Sequence, residues 1–197
     1  MKINNTIYSA RMTGNQFLYH EFKVMCDLVL QGFNKKEATQ KIIDENLFDY
    51  RSMKAINKHI GAVWERVQYI DDNLKQKVLN LPNEIGRLIN FYSILKYDLL
   101  FYEFIQEVTS DKIKSKQYVL NKSDISYFFN EKAQQSSIVA GFKESTIKRL
   151  QLAYIECLLG AGYVNENNSS MSLAVPFGIY QIQNDIEDKY IKVMLGE

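Results

Sequence analysis

The stretch that decides the fold is Glu144–Leu159, with the sequence ESTIKRLQLAYIECLL. On a helix its apolar residues fall on one side, at spacings of three and four: Ile147, Leu150, Tyr154, Cys157 and Leu158. A second side begins at the helix N-terminus and carries small donors, two cations and one leucine: Ser145, Lys148, Arg149 and Leu152. Backbone N–H groups without helical partners point outward at the same end. The stretch therefore predicts a helix that packs on its own domain with one face and offers the other to a phosphate backbone, as the recognition helix of a winged helix-turn-helix does.

The residues before this helix predict its partner in the motif. Asn121 or Ser123 is placed to cap a helix over Asp124–Gln134. A shorter element over Gln135–Gly141 then leads into the Glu144 helix. Two helices joined by so short a connection would form the helix-turn-helix pair.

The residues after the helix predict a small wing. Tyr163–Val164 and Met171–Val175 are brief extended runs that flank an Asn/Ser-rich tip, Asn165–Ser170. This arrangement predicts a short β-hairpin. The tail, Gly178–Glu197, predicts one further helix on the surface.

The clearest helix-breaking sequence in the chain is Leu81-Pro82-Asn83. It predicts a boundary between two units, residues 1–81 and 82–197. A helix over Glu84–Thr109 follows, and it is apolar around much of its circumference, so we expect it at the centre of the fold. Asp111–Lys122 is the most basic stretch, and its simplest interpretation is a solvated loop. Its lysines are Lys112, Lys114, Lys116 and Lys122.

The N-terminal unit predicts a second helix-turn-helix. A helix over Gln16–Gln31 is followed by Asn34 and Glu37, which have the spacing of a capping box. Ser52 then caps a long helix over Met53–Leu79. This order of helices is typical of a helix-turn-helix, and it is equally typical of a compact helical bundle.

The composition fits an all-α, soluble and cytoplasmic protein. Only 2 prolines and 9 glycines interrupt 197 residues, of which 46% are hydrophobic. The net charge of +1 is low for a nucleic-acid binder, so phosphate binding would require a local basic patch. Cys26 and Cys157 lie at core-like positions and are expected to be reduced thiols. The chain shows neither a signal peptide nor the run of about 20 apolar residues that a membrane span needs.

Motifs for catalysis are missing from the sequence. Neither GxxxxGK[ST] nor a GxGxxG that follows a strand is present. The two histidines, His20 and His59, lack a second ligand at zinc spacing. A nuclease site from carboxylates and a lysine would require a fold that the sequence does not predict; the candidates are Glu103, Glu107, Asp111, Glu131 and Lys132. We therefore predict no enzymatic activity, no cofactor, no metal and no small-molecule substrate.

Several short motifs, in their order and spacing, resemble the BrxA family, a small core component of the BREX bacteriophage-exclusion systems. They are Tyr8-Ser9-Ala10-Arg11 with Thr13, Glu45-Asn46-Leu47-Phe48 with Arg51-Ser52, Tyr92 with Ile94-Leu95-Lys96, Asp98-Leu99-Leu100-Phe101 with Glu103-Phe104, Asp124 with Phe128-Phe129 and Lys132, and Ser145-Thr146-Ile147-Lys148-Arg149-Leu150. The resemblance covers about Tyr8–Val164. It implies a helical protein with two helix-turn-helix motifs beside positive surface, which binds double-stranded DNA and carries no catalytic residues. It also implies other BREX components as partners: a DNA methyltransferase, an ATPase and a phosphatase-like protein.

The predicted DNA contacts lie in three groups. They are Lys143, Ser145, Thr146, Lys148 and Arg149 on the recognition helix, Asn167 and Asn168 at the wing tip, and Arg51, Lys54 and Lys58 on the first unit. Most should contact phosphates, which predicts weak sequence preference and marked salt dependence. The alternative for these residues is a solvated helix face.

Two other functions remain open from the sequence. A protein–protein adaptor within the BREX machinery would suit the aromatic surplus and the low net charge. Binding of RNA is less favoured, because the aromatic residues fit core positions instead of a stacking platform. Arg11 is expected to clamp the N-terminal segment to the body through an ion pair, with Tyr8 and Met12 anchoring the same segment.

Overall fold

The computed structural model describes residues 7–167, 170–186 and 188–197. These residues form a mainly helical protein with one small sheet, which confirms the all-α prediction. The N-terminal helices are α1 (Tyr19–Leu30), α2 (Lys35–Asp44), α3 (Met53–Val67) and α4 (Asp72–Asn80). The central helices are α5 (Asn83–Tyr97) and α6 (Leu99–Phe104), followed by a π-helical segment (Ile105–Ser110) and α7 (Asp111–Lys114).

The C-terminal part contains three strands and four further helices. They are β1 (Val119–Leu120), α8 (Lys122–Gln135), α9 (Ser137–Ala140), α10 (Glu144–Ala161), β2 (Val164–Asn167), β3 (Ser170–Leu173) and α11 (Lys189–Leu195), with 3₁₀ turns at Phe177–Gln181 and Gln183–Asp185. The sheet order is β1-β3-β2, and both pairs are antiparallel. No helix in the described ranges is both long enough and apolar enough to cross a bilayer.

Helix α5 is the centre of the fold, as its apolar circumference predicts. Most of its residues are buried, and α1, α3, α4, α10 and α11 all pack against it. The buried side chains of both predicted units therefore belong to one continuous core. The division of the sequence at residues 81 and 82 stays a prediction about the organisation of the chain.

Local capping signals located the helix starts well. Asn34 and Glu37 form the predicted capping box, and the Ser52 hydroxyl accepts a hydrogen bond from the Ala55 N–H at 3.3 Å. Asn121, one of the two predicted caps, forms a capping box with Asp124 at the start of α8. The predicted hairpin is also confirmed, although its strands extend into the stretch that we expected to be the tip.

Two predicted long helices are each broken by an aspartate. The helix expected over Met53–Leu79 ends at Val67, and α4 starts anew because Asp71 caps the Leu74 N–H at 2.8 Å. The helix expected over Glu84–Thr109 breaks at Asp98, whose backbone is extended and whose carboxylate accepts from the Phe101 N–H at 2.8 Å. In both cases the apolar spacing continues across the break and hides it.

The tail and the basic stretch also differ from the predictions. The single helix expected over Gly178–Glu197 is wrong, because two 3₁₀ turns precede α11 and Asp188 caps that later helix start. The loop expected over Asp111–Lys122 instead contains α7 and strand β1. Val119 pairs with Ser172 of β3, so this stretch supplies the third strand of the sheet.

The N-terminal segment is clamped to the body as predicted. The Arg11 guanidinium donates to the Tyr97 carbonyl at 3.3 Å, lies over the Tyr97 ring and reaches Glu65 at 3.8 Å. Met12 is fully buried, and the Tyr8 hydroxyl donates to Glu103 at 2.7 Å. Arg11 therefore serves the fold and not a surface site.

Candidate nucleic-acid interface

Helix α10 has the two faces that its sequence predicts. Four of the five predicted apolar residues are completely buried, and Ile147 is half-buried; the buried set is Leu150, Tyr154, Cys157 and Leu158. The predicted outer face is exposed along its whole length, at Ser145, Lys148, Arg149 and Leu152. Lys143 is also exposed, and Thr146 is half-buried. Five predicted contact residues are thus gathered within two turns of one helix.

The start of α10 is open to an anion. Lys143 occupies the N-cap position with an extended backbone, and no side chain in the described part of the protein caps the helix there. The first backbone N–H groups of a helix point along its axis and carry partial positive charge. They favour a phosphate oxygen at this end, next to the cations of the first two turns.

The two cations of this face differ in their surroundings. The Lys148 ammonium lies 2.6 Å from the Glu144 carboxylate one turn earlier, and both side chains are largely exposed. This hydrogen bond from Lys148 lowers the pKa of Glu144. Arg149 has no ion-pair partner among the described residues. An exposed pair of this kind is weak and screened, so Lys148 can exchange its partner for a phosphate.

Helix α8 adds a cation that the sequence did not assign to the site. Lys122, the first residue of α8, lines the same surface cavity as Lys148. Gln151 of α10 donates to the Ser126 hydroxyl at 3.3 Å and ties the two helices together beside this cavity. Lys122 belongs to the basic stretch noted in the sequence. Its place at the same cavity as Lys148 follows only from the packing of α8 on α10.

The neighbouring lysine of that stretch is engaged elsewhere. Lys112 forms an ion pair with Asp124 at 3.0 Å, and its side chain is mostly buried. Lys114 and Lys116 remain exposed on the other end of the segment. Of the four lysines, Lys122 alone lines the cavity between α8 and α10 in the described part of the chain.

The hairpin follows α10 directly. Gly162 ends the helix in the left-handed conformation, with φ of 81°, and β2 begins two residues later. Asn167 is the last residue of β2, whereas Asn168 lies outside the described residues. The hairpin that carries the predicted wing contacts is therefore joined to the C-terminal end of α10.

The predicted contacts of the first unit form a separate group on α3. Arg51 precedes the helix, and Lys54 and Lys58 are exposed one turn apart on it. The Lys58 ammonium lies over Gly14, where a Cβ would collide with it. Helices α3 and α10 both pack on α5, so the two basic groups share one support.

Three of the five candidate nuclease residues, Glu103, Glu107 and Lys132, form an ion-pair cluster. The Lys132 ammonium lies 2.6 Å from both Glu103 and Glu107, and it is almost completely buried. Tyr8 donates to the same Glu103. Asp111 and Glu131 do not join this cluster within the described residues, which also hold no group of three metal-ligating side chains. The lysine occupies the space between the two carboxylates and links α8 to α6.

The buried thiols are also structural. Cys26 and Cys157 are free and completely buried. Burial raises the pKa of Cys157 to about 12 and raises that of Cys26 as well. Neither thiol is ionised at neutral pH, and neither has access to a substrate.

Comparisons with known proteins agree with the motifs in the sequence. The BrxA family model matches residues 6–177. The chain is 28% identical to the BREX protein BrxA of Bacillus cereus, over 99% of this chain and 100% of that one. It is 17% identical to the BREX protein BrxA of Escherichia coli over 82% of this chain and 76% of the relative.

A solved structure shares the fold. The crystal structure of an uncharacterized protein from Magnetospirillum magneticum superposes with a TM-score of 0.80 and covers 95% of this chain and 97% of its own. The identity of 16% limits this likeness to the fold alone. The family match over most of the sequence decides the identity: the chain belongs to the BrxA family.

Proposed function

We propose that this protein is a non-catalytic, cytoplasmic component of a BREX anti-phage system that binds double-stranded DNA, mainly through phosphate contacts. Membership of the BrxA family supports a role in BREX phage defence. The observation that carries the DNA proposal is the group of exposed cations at the uncapped start of α10. Cations and free N–H groups at one helix end are complementary to a phosphate backbone.

The arrangement of elements around α10 supports the same proposal. The order β1, α8, α9, α10, β2, β3 is compatible with a winged helix-turn-helix, in which α10 would take the recognition position and the β2–β3 hairpin would be the wing. Lys148 and Arg149 would bind phosphates from α10, and Lys122 would bind one from the start of α8. Lys143, Ser145 and Thr146 would add contacts at the helix start, and Asn167 and Asn168 would add contacts from the wing.

The first unit would supply a second, weaker contact. Arg51, Lys54 and Lys58 would bind phosphates from α3, in a helix-turn-helix formed by α2 and α3. The division of the chain into residues 1–81 and 82–197 is part of this proposal. Other BREX components, namely the methyltransferase, the ATPase and the phosphatase-like protein, would be the protein partners, and no small-molecule substrate, cofactor or metal would be required.

The proposal is tested by titrating a fluorescent duplex of mixed sequence with the full chain at about 50 mM and about 200 mM salt. We expect the variant Lys148→Ala/Arg149→Ala to bind roughly tenfold more weakly at the lower salt. We also expect its dependence of log affinity on log salt to be shallower by about 1.8, because each lost phosphate contact removes about 0.9.

A charge-matched control separates a site from the loss of net charge. Arg87 and Lys192 are exposed cations on α5 and α11, and neither forms an ion pair in the described parts of the chain. The variant Arg87→Ala/Lys192→Ala should bind almost as the parent protein does. Equal binding by both double variants and the parent would remove α10 from the site, and failure of the parent to bind duplex DNA would end the proposal.

An adaptor function is the second candidate, and one observation favours it. Phe177 is 81% exposed and packs edge-on against the half-exposed Tyr180, with ring centroids 6.0 Å apart. Exposed aromatic residues are enriched at protein interfaces. Pull-down of other BREX components by the parent protein but not by Phe177→Ala/Tyr180→Ala, without any binding of duplex DNA, would support this alternative.

A further inference from the structure

The surface between α8 and α10 contains an aliphatic cavity of about 260 Å³. The residues that line it are aliphatic at Ile125, Leu152 and Ile155, polar at Gln151, and cationic at Lys122 and Lys148. Leu152 lies one turn beyond Lys148 on the outer face of α10, and its side chain is 63% exposed. The cavity is thus an apolar site inside the most cationic part of the candidate interface.

Leu152 contributes little to core packing and nothing to phosphate binding. Burial of a leucine side chain stabilises a folded protein, and Leu152, which is 63% exposed, gains little of this stabilisation. A leucine offers no hydrogen bond to a phosphate, and it interrupts a face on which Ser145, Lys148 and Arg149 can all bind anions. The hydrogen bond from Gln151 to Ser126 holds the cavity walls together without any ligand.

We infer that this cavity receives the 5-methyl group of a pyrimidine in the DNA major groove, and that Leu152 sets a sequence preference. This inference rests on the proposed function, in which α10 lies along a duplex. The base edges in the major groove present hydrogen-bond donors and acceptors, and the 5-methyl group of thymine is their apolar element. The aliphatic side chains of this cavity can contact the methyl-bearing edge of a pyrimidine, while Lys122 and Lys148 bind phosphates of the same duplex.

Two base substitutions isolate the methyl group. Deoxyuridine has the hydrogen-bonding groups of thymidine but lacks the 5-methyl group, and 5-methylcytosine adds the same group to cytosine. The chain is titrated with matched short duplexes that contain thymine or uracil throughout, and with duplexes that contain cytosine or 5-methylcytosine. The two comparisons show which base supplies the methyl group.

We expect the parent protein to bind the thymine duplex about fourfold more tightly than the uracil duplex, the equivalent of about 0.8 kcal/mol for one buried methyl group. Leu152→Ala should bind both duplexes equally, because it removes the exposed side chain that would contact the methyl group. Ile138→Ala, which truncates a similarly exposed aliphatic residue on α9, should keep the fourfold ratio. Arg149→Ala, which removes a cation that does not line the cavity, should weaken binding to both duplexes and keep the ratio as well.

The outcomes separate this inference from the proposed function. Salt-dependent binding with equal affinity for all four duplexes overturns the inference and leaves the proposed function intact. A ratio that persists in Leu152→Ala overturns the assignment to Leu152. A preference for 5-methylcytosine over cytosine supports the methyl site with cytosine as its source, and absence of duplex binding overturns both proposals.

Discussion

Helices α3 and α10 both present cations on their outer faces, and both pack on α5, yet their surroundings differ. Ser52 caps the first turn of α3, whereas no side chain of the described residues caps α10. On α3, Lys58 lies over the N-terminal segment and Arg66 is buried in the core. On α10, Lys148 and Arg149 both point to solvent.

Under the proposed function, this contrast predicts that the number of basic residues on a helix does not define its phosphate-binding face. What matters is whether the N–H groups at its start are free, and whether the cations can reach a ligand without giving up contacts that stabilise the fold. Helix α3 uses part of its positive charge to hold the protein together. Helix α10 leaves Arg149 without an ion-pair partner among the described residues and holds Lys148 only by an exposed pair with Glu144.

The largest expected difference concerns one arginine on each of these two helices, Arg66 on α3 and Arg149 on α10. Arg66 is fully buried, lies over the Tyr97 ring and donates to the Phe17 carbonyl at 3.3 Å. We expect Arg66→Met to lower the free energy of unfolding by about 3 kcal/mol, because the Asn15 carbonyl loses its donor, the Phe17 carbonyl keeps only Asn90, and the contact with the Tyr97 ring is lost. Arg149→Met should change it by less than about 0.5 kcal/mol.

Urea denaturation at neutral pH, followed by circular dichroism, measures both variants. The matched substitution removes the same guanidinium from the interior in one case and from the surface in the other. If both variants changed the free energy of unfolding by a similarly small amount, Arg66 would be dispensable for the fold. The two helices would then not differ in whether their cations stabilise the protein.

A second prediction concerns the support that the two faces share. Asp98, at the end of α5, is almost completely buried, and this burial raises its pKa to about 6. The pKa of Asp98 is higher in the folded protein than in the unfolded chain. The protonated carboxyl therefore contributes stability that is fully present below about pH 4 and is lost as the pH rises through about 6. We expect Asp98→Asn to be more stable than the parent by about 2 kcal/mol at about pH 8, and equal to it at about pH 4.

The asparagine keeps an oxygen that can accept the hydrogen bond from the Phe101 N–H, so the helix cap is preserved. Thermal or urea unfolding of both proteins over this pH range gives the difference directly, because other titrating groups cancel. Lower stability of the variant at high pH would indicate that the ionised Asp98 is stabilised by Arg66 and Arg11. DNA binding should be unaffected at temperatures at which both proteins are folded.

The third prediction compares the two faces in binding. We expect Lys54→Ala/Lys58→Ala to weaken duplex binding about threefold, less than the roughly tenfold expected for the α10 pair. Lys58 already contacts the N-terminal segment, so it has less freedom to follow a phosphate. The same fluorescence titration measures both variants, and an equal loss would mean that the two helices contribute alike.

The sequence predicted which helices and strands form better than it predicted where each of them begins and ends. The apolar side of α10, the capping box of α2 and the hairpin all followed from local patterns of spacing and capping. The breaks after Val67 and at Asp98 did not, because buried residues recur at helical spacing on both sides of each break. The aspartate that caps each later helix was the available signal.

The candidate site was predictable where it lies within one helix. The exposure of Lys148 and Arg149 follows from the period of α10 alone. Lys122 and Lys148 line the same cavity because α8 packs on α10. The spacing of residues within one helix does not predict how two helices pack. The burial of Arg66 likewise depends on carbonyl groups of the distant N-terminal segment.

The smallest expected effect tests whether the α10 cations are truly free. Glu144 lies in the first turn of α10, and its carboxylate holds Lys148 at 2.6 Å, whereas the described first turn of α3 holds no acidic residue. A phosphate must displace this carboxylate and then remains near its charge. Glu144→Gln should therefore strengthen duplex binding about twofold to threefold at low salt, and less at high salt. Glu156→Gln, an exposed glutamate on the same helix, should produce a smaller change. Weaker binding by Glu144→Gln would mean that the carboxylate positions Lys148 for the phosphate, so that α10, like α3, depends on an internal partner for its cation.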